Sequence, residues 1–124
     1  MSTIFFRGKG NRKPESEFRS ACLKWLRLRF GRYFYSAKQL GGLGVESGRP
    51  DTLCSIRGRF YAFEWKAPNG RGRRGPRQVE QIDRINAAGG RAYFIESFED
   101  LERAVADIEP VQIGMGNQTG RGKG

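Results

Sequence analysis

Pro50-Asp51 and, after twelve intervening residues, Glu64-Trp65-Lys66 supply two carboxylates and one amine, groups suited to a metal-dependent cut in a phosphodiester. If residues 60–66 form a strand, side chains alternate between faces, so Glu64 and Lys66 share one face while Phe63 and Trp65 take the other. Residues 51–56 also read as a strand, and Arg57-Gly58 is a tight reversal into Arg59-Phe60-Tyr61. An antiparallel hairpin then folds Asp51 back towards Glu64.

Two carboxylates at one spot repel each other unless a cation sits between them. Asp and Glu oxygens without His or Cys suit Mg²⁺ or Mn²⁺ rather than zinc. The chain has no histidine at all, which excludes Ser-His and Cys-His catalysis and histidine-bound metals. Carboxylates, lysines and water remain as the available chemical groups, and nothing calls for an organic cofactor.

The chain has 124 residues, the size of one domain with a modest core. Twenty-three Lys and Arg against thirteen Asp and Glu give a formal charge of +10, which favours a polyanionic partner such as nucleic acid. Ten of these basic residues (Arg7, Lys9, Arg12, Lys13, Arg71, Arg73, Arg74, Arg77, Arg121 and Lys123) lie in segments without a single acid. The remainder is balanced, thirteen against thirteen, so the excess sits in two ends and one Gly-rich loop. Cys22 and Cys54 fall in apolar patterns and read as buried thiols, which suits a reducing cytosol. Ile4-Phe5-Phe6 is too short for a signal-peptide core and no apolar run approaches a membrane span, so a cytoplasmic protein is expected.

The elements that must position these groups follow from periodicity. Residues 1–13 read as a basic flexible arm, 14–109 as the folded domain and 110–124 as a Gly-rich tail. A helix from Pro14 to about Phe30 carries Phe18, Cys22, Trp25 and Arg29 at helical spacing, with Leu26 beside them and Gly31 as a stop. Glu15 projects from the N-terminal end of that face, where it also favours the helix dipole; Glu17 reads as a solvated side position. Arg32 to Ala37 reads as a strand, and Ser47-Gly48-Arg49-Pro50, after the glycines at 41, 42 and 44, as a loop into Asp51. A helix from about Pro76, with Gln78 in its first turn, carries Val79, Ile82 and Ile85 and ends at Gly89-Gly90. Arg91 to Ser97 reads as a strand. Phe98 to Ile108 reads as an acidic amphipathic helix that covers the sheet away from any DNA. The order predicts an α/β fold with a small mixed sheet flanked by helices. Trp25 and Trp65 read as core residues rather than platforms for stacked bases.

Gly48-Arg49-Pro50-Asp51, Glu64-Trp65-Lys66 and the helix-borne Gln78 together resemble the VRR-NUC branch of the PD-(D/E)xK nucleases, over roughly residues 15–108. The resemblance implies the restriction-endonuclease-like core, metal binding by Asp51 and Glu64, and completion of the metal shell by the Trp65 carbonyl. It implies that Lys66 positions or deprotonates water or neutralises charge on the phosphate, and that Gln78 orients lysine and water. It implies too that Glu15, in preference to Glu17, is the acid of the first helix. The chain departs from the branch's namesake signature, with Arg73-Arg74 in a Gly-rich loop and the helix motif reading Pro76-Arg77-Gln78. Small standalone relatives of this kind resemble phage and bacterial Holliday junction resolvases, which implies a homodimer acting on branched DNA in the cytoplasm, that of the host if phage-encoded. Arg71, Arg73, Arg74 and Arg77, with Arg12, Lys13 and Arg49, are then the expected phosphate contacts, reading shape rather than sequence. The rival readings are a flap or nicking endonuclease and a noncatalytic nucleic-acid-binding module.

Overall fold

The computed structural model describes residues 14–37, 47–68 and 72–112. Their elements run α1 (Pro14–Phe30), a 3-10 turn (Gly31–Tyr33), β1 (Phe34–Ala37), β2 (Thr52–Ile56), β3 (Arg59–Trp65), α2 (Pro76–Ala87), β4 (Arg91–Ile95) and α3 (Phe98–Ala104). The four strands form one mixed sheet in the order β1-β2-β3-β4. The first two pairings are antiparallel, and β4 lies parallel to β3. A parallel neighbour cannot be reached by a tight turn, so the chain crosses over through α2.

The β2–β3 register follows from a two-residue turn. Ile56 pairs with Arg59, and the intervening Arg57 and Gly58 have φ of 49° and 85°, the left-handed conformations that match the twist of a hairpin. An arginine rarely adopts this conformation. Here its guanidinium is held by the Glu109 carbonyl at 2.7 Å and lies 3.8 Å from the Tyr33 ring centre.

Alternation then sorts the sheet into two faces. Tyr61, Phe63 and Trp65 join Phe18, Cys22, Leu26 and Phe30 of α1 and Phe98 and Leu101 of α3 in the main core. Ala62 and Ala92 meet Ile82 of α2 on the other face, beside Leu53, Ile85 and Phe94. The acidic α3 therefore covers the face opposite Glu64, as the sequence predicts. Both cysteines are free and buried, and burial pushes their thiols up to about 12, which leaves them unreactive at neutral pH.

Four expectations need correction. The buried stripe of α1 is Phe18-Cys22-Leu26-Phe30, whereas Trp25 lies at its flank with its ring edge-on to Phe98 at 4.8 Å. Glu17 is not solvated: it is 6% exposed, and its Oε1 has no hydrogen-bond partner among the described residues. Its position in the first turn let α1 dock with that side chain inside, which helical spacing alone did not indicate. The strand after α1 starts at Phe34, because Gly31 takes φ 53° and opens a 3-10 turn. Finally, α3 is regular only to Ala104, beyond which tightened turns such as Ala106 N–H to the Arg103 carbonyl carry the still-buried Val105 and Ile108. Val111 N–H donates to the Arg29 carbonyl at 2.7 Å, so ordered contact continues past Pro110. No helix among the described residues is long and apolar enough to cross a membrane.

Candidate active site

Extending the β2–β3 register one step beyond Thr52–Phe63 sets Asp51 opposite Glu64. Side chains directly across a hairpin share a face, and like charges there destabilise it. The backbone nonetheless holds the two acids together. Asp51 N–H donates to Glu64 Oε1 at 3.2 Å, and Trp65 N–H donates to Asp51 Oδ2 at 3.4 Å. Beneath them the Trp65 indole is fully buried and donates to Thr52 Oγ1 at 2.9 Å. This anchors the end of β3 and excludes Trp65 from base stacking.

Lys66, two residues on, shares the face of Glu64 and is itself buried. Its Nζ donates to Gln78 Oε1 at 2.9 Å and to the Arg73 carbonyl, and lies 3.8 Å from Glu64 Oε2. The Gln78 amide nitrogen donates to Glu64 Oε2 at 2.8 Å, while its oxygen also accepts from Gly75 N–H at 2.9 Å. The amide can face only one way, since Lys66 and Gly75 offer donors alone and an ionised Glu64 offers acceptors alone. Reaching back to the residue before the helix is half of a capping box. The helix cap thus locks the rotamer that links lysine to carboxylate.

Two glycines allow this closeness. A Cβ on Gly72 would sit 3.1 Å from Lys66 Cβ and Cδ, so the arginine loop lies directly over the lysine stem. Gly48 has φ 79°, and a Cβ there would come 2.6 Å from the Arg77 carbonyl carbon and oxygen. The loop that delivers Asp51 is therefore seated on the first turn of α2. Gly48→Ala is expected to cost about 2 kcal/mol in urea unfolding and to slow any reaction at Asp51. An unchanged midpoint would show that the loop does not need this seat.

Burial, reinforced by the Asp51 charge across the hairpin and by that of Glu15, raises the Glu64 carboxyl to about 7, against the opposing influence of Lys66 and of Asp51 N–H. Asp51 is also raised, by burial above all, although the Trp65 N–H and the charges of Arg19 and Lys66 act the other way. Burial and the neighbouring carboxylate disfavour the ionised forms here, a cost that a bound cation would offset. Mg²⁺ is commonly held by one or two carboxylates with water and substrate oxygens completing its shell, and this donor set, without histidine, fits it or Mn²⁺. Among the described residues no three acidic or cysteine side chains form one metal-holding group. Glu15 is near enough to influence Glu64 electrostatically but does not make the pair a triad. Of the two, it is Glu15 whose charge reaches Glu64, while Glu17 is buried.

The expected phosphate contacts divide. Arg73 and Arg77 are exposed on the loop and first turn beside Lys66, and Arg49 is exposed in the loop before Asp51. Arg74 is engaged by Glu96 at 3.3 Å and stacks on Phe94 at 4.4 Å, so an acid distant in sequence meets the otherwise acid-free loop. Arg12, Lys13 and Arg71 lie outside the described residues. Arg19, whose charge reaches Asp51, was not anticipated; its place four residues after Glu15 on α1 was the available signal. Comparison of the chain with protein-family models, with curated proteins and with solved structures finds no match.

Proposed function

We propose that the chain is a divalent-metal-dependent, structure-selective DNA endonuclease with a PD-(D/E)xK core, which resolves four-way junctions as a homodimer. One observation carries the reading: the half-buried Asp51 and the buried Glu64 are held face to face, and a buried lysine is tied to Glu64 through Gln78. A merely structural hairpin gains nothing from this arrangement, because burying like charges opposite each other costs stability.

In this reading Asp51 and Glu64, with the Trp65 carbonyl, would hold Mg²⁺ or Mn²⁺, and Glu15 would act on the site through its charge alone. Such an ion, when bound, supplies Lewis-acid polarisation of the phosphate and a lowered pKa for an attacking water. Lys66 complements the negative charge that develops on the phosphate oxygens. Gln78 and the Arg73 carbonyl fix the lysine, so no reorientation is needed as that charge appears. Arg73, Arg77 and Arg49 grip neighbouring phosphates without reading sequence. A dimer suits a four-way junction, since two symmetry-related sites meet two symmetry-related strands.

The test is product analysis on a labelled mobile four-way junction with Mg²⁺ and with EDTA. Paired symmetric incisions that vanish in EDTA are expected. Single cuts near a flap or nick would replace resolution by the flap endonuclease reading, and tighter binding with Mg²⁺ but no cleavage would leave a binding module.

A further inference from the structure

On the α1 side of Asp51 lies a cavity of about 340 Å³, lined by Arg19, Leu23 and Arg27 of α1, Ser36 of β1, and Asp51 and Thr52. We propose that this groove binds the sugar-phosphate backbone of one unpaired DNA strand as it leaves the cutting site, so that the enzyme acts where strands separate. The inference rests on the endonuclease reading and adds to it a strand path and a substrate requirement.

Arg19, Leu23 and Arg27 are spaced four residues apart, so they form one ridge of α1 along the groove. At the helical rise the two arginines stand about 12 Å apart along the axis, so that their long side chains can reach the two phosphates that flank one nucleotide. Arg19 marks the end at Asp51, whose carboxyl it influences. Arg27 marks the far end, where its guanidinium lies 6.0 Å from the Phe34 ring centre. Ser36 of β1 adds a hydroxyl to the lining, and Leu23 gives the apolar surface on which a deoxyribose rests.

Size and charge select the occupant. About 340 Å³ is at the small end of the pockets that hold drug-sized ligands, room for a nucleotide unit or so and far too little for a duplex. Arginine presents forked donors that suit phosphate oxygens. Arg19 and Arg27 form no ion pair with a carboxylate among the described residues, in contrast to Arg74. A branch point is the place in DNA where one strand can leave its partner and enter such a groove.

The experiment measures binding of a short fluorescein-labelled oligo-dT strand, and of a duplex of equal length, by anisotropy in EDTA across a salt series. Arg19→Gln with Arg27→Gln is expected to weaken single-strand binding about tenfold and to reduce the slope of log affinity against log salt by about 1.4, the value for two lost single-strand phosphate contacts. Duplex binding should hold within about twofold, and Arg103→Gln on α3 should change neither. Ser36→Asp, which puts an anion into the groove without touching α1, should weaken the single strand alone. Unchanged affinity and slope in the folded double variant, or an equal loss for strand and duplex, would overturn the proposal. The two readings separate cleanly: binding in EDTA needs no cleavage, so the groove stands if single-strand binding is lost in a protein that cuts nothing. A protein that cuts junctions while its double variant binds single strands like the wild type keeps the nuclease and loses the groove.

Discussion

Asp51→Asn is expected to lower Mg²⁺-dependent DNA cleavage about 1,000-fold, while making the metal-free protein more stable than the wild type at pH 8. The rate follows from the loss of one of two metal-binding carboxylates, since stabilising the charge of the transition state with a metal is worth several kcal/mol and each tenfold in rate about 1.4 kcal/mol. The stability follows from the same geometry with the opposite sign. Asp51 is half-buried opposite Glu64, and its pKa is raised, so the ionised form is tolerated less well in the folded protein than in the unfolded chain. Asparagine keeps an oxygen to accept from Trp65 N–H and removes the charge. Relief of the cross-strand repulsion is worth about 1 kcal/mol, read as a higher urea midpoint in EDTA. A less stable variant, or one that cuts at the wild-type rate, would show that Asp51 serves the fold and not the chemistry. Stability gained together with activity lost marks a residue kept for function.

Glu64 couples folding, protons and metal. Its carboxyl moves from 4.5 in the unfolded chain to about 7 in the fold, chiefly by burial and then by the Asp51 charge. A raised pKa means that the folded state holds the proton more tightly. The stability from that proton is fully present below pH 4.5 and is lost as pH rises through about 7. The loss amounts to about 3 kcal/mol across that window. Asp51 shifts in the same direction and adds to it. In EDTA the wild type should therefore lose stability from pH 4.5 to 7.5, and Glu64→Gln should flatten the Glu64 share of that slope.

A divalent ion must displace the same proton. Below pH 7 its affinity is expected to fall about tenfold per pH unit for the one proton released, so Mg²⁺ should raise the melting temperature far more at pH 8 than at pH 5.5. An equal thermal shift at both values would mean that the ion binds away from Glu64.

Much of the site was legible in the chain. Strand alternation alone set Glu64 and Lys66 on one face and Trp65 beneath. The Arg57-Gly58 dipeptide marked a tight reversal that brings Asp51 back towards Glu64, and the structure supplied the register that sets the two opposite. The helix stop at Gly31 and the start at Pro76 were local signals of the same kind. The misplacements have a common origin. Glu17 is buried where a solvated position is expected, and Trp25 packs at the edge of the core and not in its central stripe, because the rotation of α1 about its axis is chosen by docking against β3 and α3. The periodicity of α1 marks an apolar arc but leaves its edges open.

By itself, the sequence determined the chemistry on offer and its local setting: two acids and a lysine without histidine, carried by a hairpin whose alternation puts Glu64 and Lys66 on one face and whose reversal brings Asp51 towards them. Tertiary structure decided the rest. Docking of α2 set the Gln78 amide between Lys66 and Glu64, seated Gly48 on the Arg77 backbone and brought Glu96 to Arg74. Docking of α1 aligned Arg19 and Arg27 with Asp51 along one groove. The physical reason is range. Backbone dihedrals and side-chain alternation act over two to four residues, whereas these contacts join elements whose relative placement is settled only when both faces of the sheet are buried.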